Sequence, residues 1–304
     1  MYESLREELL DVLIIGAGPA GLSAAVNAKA RNLKAAIVDS REPVQNVRTY
    51  PEITNYLGFT RSTGAEMANR FAQHFCKTGY HFIKDRALKV LPMDGEFMTS
   101  TERANYRSSA VILSTGVSRQ KTLPGEERFL GHGVSYCVTC DGALYRGKDV
   151  VVVGYIPEGE EEANALAGLA RSVTYIAAYD GVETLDPEVR VLRTKPISIA
   201  GDHRAHVLQT EAGEIRADGF FVIRQGVPMT ALLDDLRFEG NFVWVDHEMA
   251  TNILGLYAAG DCTGPPFQIA KAVGEGQVAA LNAARYVHGM RKETVHHGHA
   301  DGSG

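Results

Sequence analysis

Apolar, largely β-branched residues fill Asp11-Val12-Leu13-Ile14-Ile15, and the run breaks at Gly16-Ala17-Gly18-Pro19-Ala20-Gly21. A short apolar run bounded by glycine predicts a buried strand. Leu22, Ala25 and Ala28 then recur at helical spacing, and Leu33-Lys34-Ala35-Ala36-Ile37-Val38-Asp39 reads as a second strand closed by an acid. Strand, G-x-G-x-x-G, helix, strand and acid follow one another within about thirty residues, the pattern of a dinucleotide-binding unit. Gly16 makes the tight turn, Gly18 lets the backbone approach a pyrophosphate, and Gly21 lets the helix pack on the strand. Pro19 and Ala20 open the helix, whose first N–H groups and dipole face the phosphates. Asp39, with Ser40 beside it, can accept hydrogen bonds from a ribose diol.

Three further segments repeat the switch from strand to turn. Ala110-Val111-Ile112-Leu113 runs into Ser114-Thr115-Gly116, and Pro124-Gly125-Glu126 follows. Lys148-Asp149-Val150-Val151-Val152-Val153-Gly154 begins a second strand–turn–helix unit. Thr251–Ala259 ends in Gly260-Asp261, and Gln268-Ile269-Ala270-Lys271-Ala272 leads into a helix rich in small residues from Gly274. Ala65–Thr78 has amphipathic helical spacing, which predicts that Cys76 is a buried small apolar residue, and Cys262 is expected to be the same.

Length and composition narrow the class. A chain of 304 residues, 45% hydrophobic and 22% charged, has the profile of a two-domain globular protein. It is not disordered, collagen-like or coiled-coil. No stretch reaches the roughly 18 apolar residues of a membrane span. The acidic start, Met1-Tyr2-Glu3-Ser4-Leu5-Arg6-Glu7-Glu8, lacks the basic flank of a signal peptide, so a cytoplasmic enzyme is expected. A net charge of −6 without a basic block points away from nucleic acid. Four cysteines are too few for a disulfide framework.

The C-terminal segment suggests a flavin. A strand ending in Gly260-Asp261 can aim a carboxylate at a ribityl chain, and the helix opened by Gln268, Ile269 and Ala270 presents its positive end to a ring that becomes negative on reduction. With Thr115-Gly116 these segments resemble the flavoprotein pyridine nucleotide–disulfide oxidoreductases, which implies FAD.

Cys137-Val138-Thr139-Cys140-Asp141-Gly142 is the sharpest chemical signal. Two thiols three positions apart can close a disulfide or ligate a metal. Zinc would need two more ligands, and Cys76, Cys262 and the tail histidines His296, His297 and His299 offer no second pair, so no metal is expected. Gly131–Gly142, together with Asn55-Tyr56-Leu57-Gly58 and the order of the other motifs, closely resembles the low-molecular-weight bacterial thioredoxin reductases over about residues 10 to 287. That resemblance implies that Cys140 faces the flavin, Cys137 attacks a protein disulfide and Asp141 handles the proton of the leaving thiol. It also carries Asn46, Asn55 and Ala87 into the cofactor set. The implied fold is α/β, two Rossmann-like domains of thioredoxin-reductase type with the second inserted in the first. The FAD domain would span 1–118 and 244–304, and the central insert 119–243, with hinges near Val117–Arg119 and Phe242–Trp244. A homodimer and rotation of the two domains are implied only by the resemblance.

The central insert departs from the family. Gly154 is followed by Tyr155-Ile156-Pro157-Glu158-Gly159-Glu160-Glu161-Glu162, so Ile156 stands at a glycine position and would fill the space of a pyrophosphate. Val173–Asp180 replaces a basic run that would hold a 2′-phosphate. Five acids against one base between Gly154 and Asp180 repel a polyanion. NADPH is therefore not expected as reductant. Pro43–Pro51 replaces a Gly-Gly-Gln segment, leaving Arg48 and Tyr50 either as packing or as cover for a second aromatic ligand. Two NADPH-independent branches are similar: ferredoxin-dependent flavin thioredoxin reductases and diflavin-linked disulfide oxidoreductases running as dithiol oxidases. The favoured expectation is one FAD per chain, ferredoxin as donor and thioredoxin or another thiol/disulfide protein as partner; a second FAD is the alternative. A redox-inert FAD-binding sensor module is the alternative from another class, and it has no use for Cys137, Cys140 and Asp141.

Overall fold

The computed structural model describes residues 8–117, 122–182, 184–224 and 228–298, with side chains to 291. The acidic N-terminal residues before 8, crossing residues 118 and 119, and the side chains of the tail histidines lie outside this set. The chain divides into two compact units, Met1–Val117 with Leu233–Gly304, and Ser118–Leu232. The return crossing therefore falls earlier than position 243/244. Residues 233–243 belong with the first unit because they are tied there. Lys89 pairs with Asp234, the Arg237 N–H donates to Asn252 Oδ1 at 2.8 Å, and Asn252 Nδ2 donates to the Asp235 carbonyl at 2.8 Å.

In chain order the first unit opens with β1 (Leu9–Ile15), α1 (Pro19–Ala30), β2 (Ala35–Asp39), α2 (Gly64–Cys76), β3 (His81–Lys84), β4 (Ala87–Met93), β5 (Glu96–Thr101) and β6 (Asn105–Leu113). The second unit contains β7 (Val134–Ser135), α3 (Val138–Asp141), β8 (Asp149–Gly154), α4 (Glu158–Ala167), β9 (Ser172–Ala177), β10 (Val189–Val191), β11 (Pro196–Gly201), β12 (Ala205–Thr210), β13 (Gly213–Arg216) and β14 (Gly219–Ile223). The first unit resumes with β15 (Leu256–Ala258) and α5 (Ile269–Gly298).

The first sheet runs β3-β2-β1-β6-β5-β4, with β15 also paired to β6. β1 is parallel to β2 and β6, and every β1 residue after Leu9 is buried. This is why it reads as an unbroken apolar run: it is a central parallel strand buried on both faces, with α1 and α5 packed on the side of Val12 and Ile14. α1 starts with Pro19 at its first position and buries Ala20, Gly21, Leu22, Ala24, Ala25 and Ala28. Small residues let α5 come close, and a Cβ added at Gly276 would stand 2.1 Å from the Ala20 carbonyl oxygen. α2 is held at its start by a reciprocal Thr63–Glu66 capping box. Phe75 takes the buried position at its C-terminal end, which leaves Cys76 exposed. The expectation of a buried Cys76 is thus corrected; Cys262 is buried.

The second unit has a parallel sheet in the order β10-β9-β8-β14-β7 and a three-stranded antiparallel sheet, β11-β12-β13. Val150–Val153 and Phe220–Ile223 are all buried at its centre. The two units share the architecture of strand, glycine turn and helix.

Candidate active site

In the first unit a cleft open to solvent lies at the carboxyl ends of β1, β2, β6 and β15, where open α/β sheets place ligands. Gly18, Pro19, Ala20, Asp39, Asn46, Thr115, Gly116, Gly260, Asp261, Gln268 and Ile269 line it. The glycines divide their work. A Cβ at Gly16 would stand 2.3 Å from the Ser114 carbonyl oxygen and one at Gly21 1.9 Å from that of Gly16, whereas one at Gly18 meets nothing within 4 Å. Gly16 and Gly21 close the turn; Gly18 faces open space. Asp39 Oδ2 accepts the Ala17 N–H at 2.7 Å and Oδ1 accepts that of Arg41 at 2.9 Å, so its carboxylate is anchored at the cleft wall. Asn55 Nδ2 donates to Gln268 Oε1 at 2.7 Å and orients a lining side chain from behind. Ser40 follows β2, Ala87 opens β4 and Ala270 is the second residue of α5; these three lie outside the lining.

In the second unit Cys137 and Cys140 form a disulfide. Cys137 caps the start of α3, and its Sγ accepts the Cys140 N–H at 3.0 Å. Cys137 is buried and Cys140 exposed. Asp141 ends the same helical turn, and its Oδ2 accepts the Ser135 hydroxyl at 2.6 Å. Ser135 Oγ in turn accepts the Cys137 N–H at 3.1 Å, so one buried hydroxyl bridges the cysteine backbone and the carboxylate.

The glycine turn after β8 is occupied by the chain itself. A Cβ at Gly154 would lie 2.0 Å from the Tyr175 hydroxyl and one at Gly159 2.9 Å from it. That hydroxyl is 3.0 Å from the Tyr179 hydroxyl, which donates to Glu160 Oε1. Glu160, 2% exposed, also accepts the Thr184 N–H at 2.5 Å and the Thr184 hydroxyl at 2.7 Å. Its carboxylate sits in the first turn of α4, where the helix dipole favours an anion. Burial pushes the Tyr175 hydroxyl up to about 12 and raises that of Tyr179 further, so both phenols keep their protons. Ile156 is only partly buried and packs against the core cluster of the second unit. Tyr175 thus packs under the first and third positions of the turn, Gly154 and Gly159, with Glu160 and Tyr179 hydrogen-bonded beside it, and Ile156 stands at the middle position where the first unit has Gly18.

A nucleotide-type cleft in one unit and a CxxC disulfide in the other define a flavoprotein-type disulfide oxidoreductase. The model of the pyridine nucleotide-disulphide oxidoreductase family matches residues 10–276, and the chain belongs to that flavin-binding family. The crystal structure of a ferredoxin-flavin thioredoxin reductase from Clostridium acetobutylicum is similar, with 40% identity and a TM-score of 0.85 over 93% of this chain and 99% of that one. A 34.2 kDa protein in the rubredoxin operon of Clostridium pasteurianum is 32% identical over 93% of this chain and 99% of its own. The thioredoxin reductase of Treponema pallidum (strain Nichols) is 33% identical over 91% and 97%. The chain is a thioredoxin-reductase-like disulfide oxidoreductase, an enzyme with two Rossmann-like units.

Several lining residues carry no motif of their own. Arg41, Val44, Gln45 and Phe267 are neighbours of motif residues, and proximity along the chain is the one signal that could have found them. Tyr50 lines the cleft; Arg48 instead donates to Asn69 Oδ1 at 2.8 Å. Ser135 lay within the quoted cysteine segment, and its role emerges only from the hydrogen bond to Asp141.

Proposed function

We propose that the chain is an FAD-dependent oxidoreductase that exchanges electrons between the flavin, Cys137–Cys140 and a thioredoxin-type protein disulfide, without NADPH and with ferredoxin as donor. The observation that carries the reading without NADPH is the Glu160–Tyr179–Tyr175 network. A pyrophosphate at that glycine turn would meet a buried carboxylate and a phenol hydroxyl where it needs open backbone and an unclaimed helix start. The cleft of the first unit has the opposite character. Gly18 faces space, and its donors and Asp39 suit a dinucleotide, so the residues present there fit FAD.

Bound FAD would supply storage for an electron pair. The chain's residues do the rest. Asp39 and the first N–H groups of α1 hold the adenosine side, and Asp261 with Gln268 and Ile269 orient the flavin side. In the reductive direction a Cys137 thiolate attacks the partner disulfide, and Asp141 protonates the departing sulfur. The Cys140 thiolate then attacks Cys137 Sγ, which re-forms the internal disulfide and releases the second partner thiol. Two electrons and two protons pass to the partner per cycle. Thioredoxin, near −270 mV, lies downhill from low-potential iron–sulfur donors at roughly −400 mV. A cytoplasmic homodimer belongs to the same reading.

Anaerobic mixing with NADPH tests the central point: the flavin band should persist, and rapid full bleaching overturns the proposal. Dithionite titration should take up about four electrons per FAD, two for flavin and two for the dithiol. Cys140→Ser should reduce this to about two. A diflavin reading is favoured by two aromatic rings at the cleft, Tyr50 at 46% and Phe267 at 51% exposure. Counting FAD per chain after denaturation separates the readings: one supports the ferredoxin proposal, two the diflavin alternative.

A further inference from the structure

α5 places a cation at the wrong end of a helix. Lys271 is its third residue, and its first turn contains no acid. The positive end of the helix dipole disfavours an ammonium there. The Lys271 side chain is nonetheless only 16% exposed, so it is also largely withdrawn from water. Such a doubly unfavourable placement needs compensation, and the structure shows its source. Lys271 Nζ donates to the Gly260 carbonyl at 2.9 Å and to the Gly264 carbonyl at 2.7 Å, and lies 3.0 Å from Thr263 Oγ1. One helical turn further on, Glu275 pairs with it at 3.2 Å. Glu275 Oε2 also accepts the Gly260 N–H at 2.8 Å and the Thr263 hydroxyl at 2.9 Å.

The pair thus grips both ends of the turn that carries Asp261. Gly260, the start of that turn, lines the cleft, and so do Asp261 and the first residue of α5, Ile269. Gly260 and Gly264 have φ of +90° and +109°, a backbone path that glycine adopts freely and that the Lys271 and Glu275 hydrogen bonds hold in one arrangement. Neutral partners would satisfy a turn equally well and without the desolvation cost of a mostly buried ion pair. Departure from a local rule beside a cofactor cleft is where function is expected.

We propose that Lys271 and Glu275 are positioning residues for the flavin site: they fix the Gly260–Gly264 turn and, as opposed charges behind the cleft wall, set the reduction potential of the bound flavin. This rests on the reading that the cleft holds FAD. A cation near a flavin favours the reduced, more negative form, and an anion disfavours it. The two members of the pair therefore pull the potential in opposite directions, which a purely structural brace would not do.

The test uses full-length holoenzyme of the wild type, Lys271→Met, Glu275→Gln and the double variant. The two-electron midpoint potential is measured by anaerobic dye equilibration and the FAD dissociation constant by fluorescence. Lys271→Met, which leaves a carboxylate unopposed, should lower the potential. Glu275→Gln, which leaves the ammonium unopposed, should raise it, and the double variant should fall between. FAD dissociation should increase about tenfold in Lys271→Met, the equivalent of one charge-assisted hydrogen bond. Lys271→Arg keeps the charge and should retain a near-wild-type potential even if Lys271→Met folds poorly. Potentials that move together, or do not move, overturn the inference while leaving the FAD reading intact. A wild-type protein that retains no flavin defeats that reading instead.

Discussion

Glu126 and Arg224 form an ion pair with 0% and 2% of their side chains exposed. Arg224 Nη2 reaches Glu126 Oε2 at 3.1 Å and Nη1 donates to Oε1, so the pair is bidentate. The Leu123 N–H donates to the same carboxylate at 2.8 Å, and the Tyr155 ring lies 4.7 Å from the guanidinium carbon. Glu126 stands soon after the chain enters the second unit, and Arg224 directly follows β14 near the exit. The pair therefore fastens the two ends of the insertion together. Arg224→Met leaves a buried carboxylate uncompensated and should cost about 3–5 kcal/mol, with Glu126→Gln similar at the lower end. The double variant removes both charges while glutamine still accepts the Leu123 N–H, so it should lie within about 1 kcal/mol of wild type. The predicted coupling is about 3 kcal/mol or more. Hydrogen exchange resolved to peptides from β8 and β14 reads this directly: each single variant should lose about two to four orders of magnitude in protection, and the double should regain most of it. Single variants that lose less than about fivefold, or a double no better than either single, refute the reasoning.

Other consequences are quicker to check. Gly18→Val should fold normally yet lose FAD, because its side chain enters open cleft; Gly21→Val should destabilise the unit, since its Cβ would lie 1.9 Å from a carbonyl oxygen. Thermal denaturation and FAD content together distinguish the two. Ser135→Ala removes the donor held 2.6 Å from Asp141 and should slow reduction of the partner disulfide about tenfold, with Ser135→Thr restoring most of the rate. In the oxidised native protein iodoacetamide should label Cys76 and spare Cys262, a buried thiol that desolvation pushes up to about 12; mass mapping that finds Cys262 labelled contradicts this. The Arg171 guanidinium and Ser172 hydroxyl hold the Asp149 carboxyl down to about 2. A lowered folded-state value stabilises the fold above the ordinary carboxylate range, and that contribution fades as the pH falls from 3.8 toward 2. Asp149→Asn should therefore flatten the acid limb of an unfolding curve in that window.

Position along the chain explains which features could be read from residues alone. The dinucleotide cleft was legible because its parts are local: a glycine turn, a helix start and an acid, each next to a strand with a recognisable pattern. The CxxC pair was legible for the same reason. The β11–β13 sheet and the β4–β5 hairpin left weaker traces. Their strands are short and mostly only partly buried, with Phe97, Thr99 and Thr101 of β5 the buried positions of that strand, and they carry no chemical motif. Cys76 was misplaced because helical spacing defines an apolar face only to within a residue or so at a frayed end, and Phe75 occupies the position that faces the core.

The second glycine turn shows why a departure from a motif is easier to detect than to explain. Its acidic run and its missing middle glycine, Ile156, are local, so they point to the departure from a nucleotide motif. The groups that fill the space come from elsewhere: Tyr175 and Tyr179 from β9 and the loop after it, Thr184 from further on, and Glu160 from the helix itself. These groups are spread over 24 residues and meet only when β8 and β9 pair. Glycine at Ile156 alone would leave all of these groups in place. Tyr175 would still stand against Gly154, and Glu160 would still place its charge where a phosphate must bind. Only Tyr175→Ala with Glu160→Gln removes both obstacles. The acidic residues around them would continue to repel a polyanion, so even this double variant should gain weak NADPH binding at best.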